Sequence, residues 1–176
     1  MKVSFMRYIN TIYQLVNSKI EWKTLFILIP TVAILNMILL YGLFMNPISQ
    51  DIIFSKDYGQ SSKLIAVWKQ IEPIPSLTSL LPALLIPPII YCILFRLFYD
   101  TLPGKVGMKK GFFFGIMLWC LIALFFELFT PFGLFGEPIH LLFYELMLWF
   151  VGFTMMGTIM GLVYDRISPK PQCGLI

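Results

Sequence analysis

Charge is scarce in this sequence. Of 176 residues, 12% are Asp, Glu, Lys or Arg and 59% are hydrophobic, against about 25% charged and about 45–50% apolar in ordinary soluble domains. A domain of this size has too much surface to cover with so few charges. Both a water-soluble globule and a disordered chain are therefore excluded. Cysteine is nearly as rare: Cys92, Cys120 and Cys173 lie far apart and form no paired or metal-spaced set, so no disulfide framework or zinc site follows. Histidine occurs once, as His140. The stretch Glu137-Pro138-Ile139-His140 has the E-x-x-H spacing of di-iron bundles, but such bundles need two copies. A single His excludes bis-His haem within one chain, while His/Met ligation or a site shared between copies stays open. No phosphate-cradling loop, HExxH or nucleophile–base pair is present. The expectation is a non-catalytic chain with no metal and no cofactor.

Basic residues exceed acidic ones, 13 to 9, for a formal net charge of +4. They are scattered at segment ends, with no run longer than Lys109-Lys110, which excludes nucleic acid as a partner. In a membrane protein such charges set orientation.

Long apolar runs are what the sequence has in abundance. Four spans are expected at about Leu25 to Met45, Leu77 to Tyr99, Met108 to Phe129 and Ile139 to Tyr164. The first is about 30 Å long at 1.5 Å per residue, enough for the hydrocarbon core, and the last is longer than it needs to be. Continuous rather than alternating hydrophobicity rules out a β-barrel. Within residues 1–23, Phe5, Ile9, Ile12, Val16 and Ile20 form one helical stripe beside Lys2, Arg7 and Lys19. This pattern predicts an amphipathic helix lying in the headgroup region. The fold class is an all-α integral membrane protein: a four-helix transmembrane bundle with an N-terminal interfacial helix, forming one domain.

Ten basic residues fall on one side of this arrangement and three on the other, which places both termini in the cytoplasm. The expected location is a plasma (inner) membrane of bacterial type. Residues 46–76 form the long outer connection, and a short interfacial helix is expected near Ser62 to Ile71. Two inner exits resemble each other: residues 97–105 and 162–170 share four of nine positions, including Tyr99-Asp100 and Tyr164-Asp165. Interfacial placement of Tyr and Lys accounts for this as readily as a true repeat does.

Polar residues in or near the apolar runs are the candidate functional positions. Glu127, Glu137, His140, Tyr144 and Glu145 gather at the outer end of the last hairpin, where an ionisable group is costly unless paired, protonated or facing a wet cavity. They are candidates for holding a ligand or handling protons. The plainer account pairs Glu145 with His140 or a neighbouring chain and lets Glu127 snorkel to water. Pro82, Pro87 and Pro88 predict a kinked or briefly unwound second span. Asn36, at the centre of the first span, needs a partner there, and the carbonyls freed by Pro87 and Pro88 are the candidates. Gly107, Gly111 and Gly115 at the start of the third span, and Gly157 and Gly161 at the end of the fourth, have the spacing of close helix contacts, and in an antiparallel hairpin the two sets are expected to face each other.

Three functions are compatible with these features. The leading one is a non-catalytic membrane subunit or assembly factor, with the lipid bilayer and other membrane subunits or copies of itself as partners. A small homo-oligomeric transporter or channel is the second. A quinone- or lipid-binding membrane protein is the third.

Overall fold

The computed structural model describes residues 22–70 and 77–168. The amphipathic helix expected over residues 1–23 lies almost wholly outside them. The described residues are mostly helical, with short turns between the helices and no strand among them. Helix α1 spans Trp22–Leu43, α2 Pro47–Phe54, α3 Ser62–Lys69, α4 Leu77–Phe98, α5 Gly107–Leu134 and α6 Ile139–Ile167. Among the described residues, three segments are long and apolar enough to cross a membrane: Lys23–Leu43, Gly107–Leu134 and Ile139–Ile167. The apolar part of α4, Leu84–Phe98, is shorter.

The antiparallel pair α5/α6 is the backbone of the bundle, with α1 packed on α6 and α4. Glycine makes the central pair possible. A Cβ added to Gly111 would run into the carbonyl of Gly157, one on Gly161 into the carbonyl of Gly107, and one on Gly115 into the carbonyl of Phe153. Backbone therefore meets backbone across three turns, the packing that small residues permit where lipid competes with apolar side chains. The core lies beside this contact. Leu25, Leu28 and Val32 of α1 meet Cys92 and Phe95 of α4, Phe114 and Leu118 of α5, and Phe153, Met156 and Met160 of α6. The resembling exits also touch: the rings of Tyr99 and Tyr164 lie 4.5 Å apart. Asp165 accepts from the backbone N–H of Gly107 at 2.5 Å and from the Tyr99 hydroxyl. A carboxylate from α6 thus caps α5, whose own preceding residue, Val106, has no side chain able to do so.

Three boundaries differ from the sequence expectation. Helix α4 runs unbroken through Pro82, Pro87 and Pro88, so of the two expected outcomes, a kink or a brief unwinding, the second does not occur. Each proline removes one intrahelical donor, and the flanking turns carry the ladder across the gaps. Helix α5 continues past Phe129 to Leu134, with π-helical stretches at Trp119–Ala123 and Leu128–Leu134. The second holds Pro131, where a widened turn accommodates a ring that crowds a regular one. The described part of the connection between the first two spans, residues 46–70, forms two helices and a 3-10 turn at Lys56–Tyr58, more than the single helix expected. Asn46 caps α2, its side-chain oxygen accepting from Ser49 N at 3.0 Å, with Pro47 in the first turn. Ser61 caps α3 in the same way. Phe54 stacks on Trp68 at 4.5 Å and joins the two short helices into a cap over one end of the bundle.

Candidate functional site

Beneath the cap lie three glutamates that local backbone features bring together. Glu127 occupies a single regular turn, Leu124–Glu127, between the two π-helical stretches of α5. Such stretches shift side chains off the regular helical register and are frequent at functional sites. Past α5, Gly136 adopts a left-handed conformation (φ 69°) that favours glycine. This turn brings the chain back so that the Glu137 N–H donates to the carbonyl of Pro131 at 3.0 Å. Glu145 stands on the second turn of α6.

All three side chains are buried: Glu127 is 1% exposed, Glu137 2% and Glu145 8%. One carboxylate oxygen from each lies within 4.8 Å of those of the other two. Few donors reach them. Trp149 Nε1 donates to Glu127 Oε1 at 2.5 Å, and Gln60 Nε2 donates to Glu137 Oε1 at 2.6 Å. Glu127 Oε2 and Glu137 Oε2 are buried with no partner among the described residues. No Lys, Arg or His forms an ion pair with the three among the described residues. Three enclosed carboxylates cannot all carry charge without a counter-ion, because their desolvation would go uncompensated. The cluster must hold protons or a cation.

An apolar cavity of about 320 Å³ opens beside it. Glu127, Glu145 and Thr130 form part of its wall, and Phe44, Phe54, Trp68, Phe126, Phe135 and Trp149 form much of the rest. Val67, Trp68 and Phe126 are exposed, so the lining reaches the surface between the cap and α5. A second cavity of about 150 Å³, lined by Asn36, Pro87 and Tyr91, shares Leu40, Phe44 and Trp149 with the first. The Trp149 indole stands between them, 4.5 Å from the Phe44 ring and 5.5 Å from Phe153.

The five candidates expected at one end of the last hairpin therefore divide. Glu127, Glu137 and Glu145 form the cluster. His140 and Tyr144 fasten the cap: His140 Nε2 is 2.8 Å from the Tyr58 carbonyl, and Tyr144 Oη is 3.1 Å from Ser49 Oγ. Glu145 does not pair with His140, and Glu127, rather than snorkelling to water, is held inside by Trp149. Of the mid-membrane candidates, Asn36 and Pro87 line one cavity, Pro88 is buried in the packing and Pro82 is exposed. The Asn36 side chain makes no hydrogen bond among the described residues, so the expected bond to carbonyls freed by the prolines is not found. The five glycines form the α5/α6 contact rather than any part of a site.

Trp149 and Gln60 are site residues that sequence reasoning missed. Trp149 carried a signal, since it lies four residues after Glu145 and so shares its helix face. Gln60 carried none: its contact with Glu137 joins residues 77 apart in sequence. No family model matches the chain, and neither a curated protein nor a solved structure does.

Proposed function

We propose that this chain is a non-catalytic integral membrane protein that holds an apolar or amphipathic ligand in the outer half of the bilayer. It acts alone or as the ligand-holding subunit of a larger membrane assembly. Four spans cross a plasma membrane of bacterial type, α4 being the fourth, with both termini cytoplasmic, the cap outside and the N-terminal helix on the inner surface. The observation that carries this reading is the cavity of about 320 Å³ with buried carboxyl groups in an otherwise apolar wall. Ligand sites have this composition: mostly apolar, with a few placed polar groups that fix orientation. Burying acids without counter-charge costs stability, a cost that a binding role accounts for and simple packing does not.

The test is titration of the purified protein with an amphiphile carrying a brominated tail, which quenches nearby indoles. Saturable quenching that disappears when Trp68 and Trp149 are both replaced by Phe is expected. Quenching that rises linearly and survives the double replacement would count against a bound ligand.

The transporter reading has one specific support, the second cavity at Asn36 and Pro87 adjoining the first across Trp149. It requires that solute flux in proteoliposomes fall on Glu145→Gln. Unchanged flux would leave the chain a binding protein only.

A further inference from the structure

We propose that the site selects a lipophilic primary amine, whose ammonium head sits among Glu127, Glu137 and Glu145 while its apolar body fills the cavity. This rests on the ligand-binding reading above and adds the chemistry of the head group. The first support is an imbalance of hydrogen bonding. Glu127 Oε2 and Glu137 Oε2 are buried acceptors without donors among the described residues. The neutral N–H donors nearby are already committed, Trp149 Nε1 to Glu127 Oε1 and Gln60 Nε2 to Glu137 Oε1 and the Ile53 carbonyl. That leaves only a proton shared within the cluster, as from Glu145, or a donor brought by a ligand. A buried acceptor without a donor is expensive, and a ligand that brings donors removes that expense.

The cavity wall points the same way. It contains no Lys, Arg or His, and its carboxyl groups come from Glu127 and Glu145. A carboxylate or phosphate head would meet acceptors where it needs donors, whereas an ammonium brings three N–H donors and a positive charge. The three carboxylates are close enough to share one head group: one oxygen from each lies within 4.8 Å of the others, and an ammonium with charge-assisted bonds of about 2.8 Å spreads its three acceptors to about 4.6 Å. The rings of Phe44, Trp68, Phe126 and Trp149 add apolar contact and favourable faces for a cation. A bare hard cation such as Ca²⁺ or Mg²⁺ fits less well. Hard cations take six or more oxygen ligands, and three glutamates would leave the rest to water beside an apolar wall.

The experiment compares dodecylamine with dodecanol, which has the same tail and no charge, on the full chain in an uncharged detergent at neutral pH. Binding is read by indole fluorescence. The amine is expected to bind at least tenfold more tightly than the alcohol, about the contribution of one charge-assisted hydrogen bond. In Glu145→Gln, and independently in Glu127→Gln, the amine-to-alcohol ratio should fall toward one, with size-exclusion profiles confirming that each variant is folded. Equal binding of amine and alcohol by the unaltered chain would overturn the amine inference while leaving the cavity a ligand site. Binding of neither probe would overturn both.

Discussion

Replacing Gly111 with alanine tests the organisation of the bundle at its tightest point. The added methyl group would meet the carbonyl of Gly157, a backbone atom that cannot rotate aside. The helices must separate, and the contacts on either side, Gly107 with Gly161 and Gly115 with Phe153, separate with them. Overpacking of this kind costs about 1–3 kcal/mol, and the distributed contact places it near the upper end. Alanine returns about 1 kcal/mol through its better helix propensity, leaving a net loss of about 2 kcal/mol. The same molecule supplies the control. A Cβ on Gly42 meets nothing within 4 Å, so Gly42→Ala should be neutral or stabilising by up to about 1 kcal/mol. Gly152→Ala lies between, its Cβ meeting the flexible end of Leu43 at 3.3 Å. Reversible unfolding in mixed detergent micelles measures all three. Equal stability of the Gly111 and Gly42 variants would refute the glycine-mediated contact.

Other consequences are equally direct. Trp149→Phe should destabilise by about 1–3 kcal/mol because it strips Glu127 Oε1 of its donor in a buried place. Adding Glu127→Leu should recover much of that loss, and the same unfolding assay with a double-mutant cycle reads it. Gln60→Ala breaks the bonds to Glu137 and to the Ile53 carbonyl, so hydrogen exchange should quicken across residues 47–69 while α5 and α6 stay protected. Asp165→Ala removes the acceptor for Gly107 N and the Tyr99 hydroxyl. It should cost about 1–2 kcal/mol, and Asp165→Asn, which keeps one acceptor, should cost less.

Much of the helical layout was legible because lipid demands long apolar runs and satisfied backbones, and both leave marks in sequence. The short helix beginning at Ser62 was legible as well, whereas α2 was not, although its Asn46-Pro47 start is a local pattern within one turn. What could not be read depends on register and on distant contacts. The π-helical stretches around Glu127 break the 3.6-residue period on which face assignments rest, so its burial was invisible. Glu137 looked like half of an E-x-x-H pair because its neighbour in sequence is His140. The left-handed turn at Gly136 instead places its carboxyl beside Glu127 and Glu145. The glycine spacing, by contrast, pointed to two facing sets in an antiparallel hairpin, and α5 and α6 meet backbone to backbone at those positions. The cap illustrates the remaining limit. Its helices were partly readable, but the contacts Gln60–Glu137 and Ser49–Tyr144 join residues 77 and 95 apart, and no local rule reaches that far.

The central claim is that a ligand enters the cavity beneath the cap, and photolabelling in lipid nanodiscs tests it most directly. An alkyl probe bearing a diazirine should label the cavity wall at Leu64, Trp68, Phe126 and Phe135 in a saturable manner. Thr130→Trp, which fills part of the space, should suppress that labelling. Labelling confined to outward-facing side chains such as Phe26, Ile34 and Phe143, and unchanged by Thr130→Trp, would contradict the account.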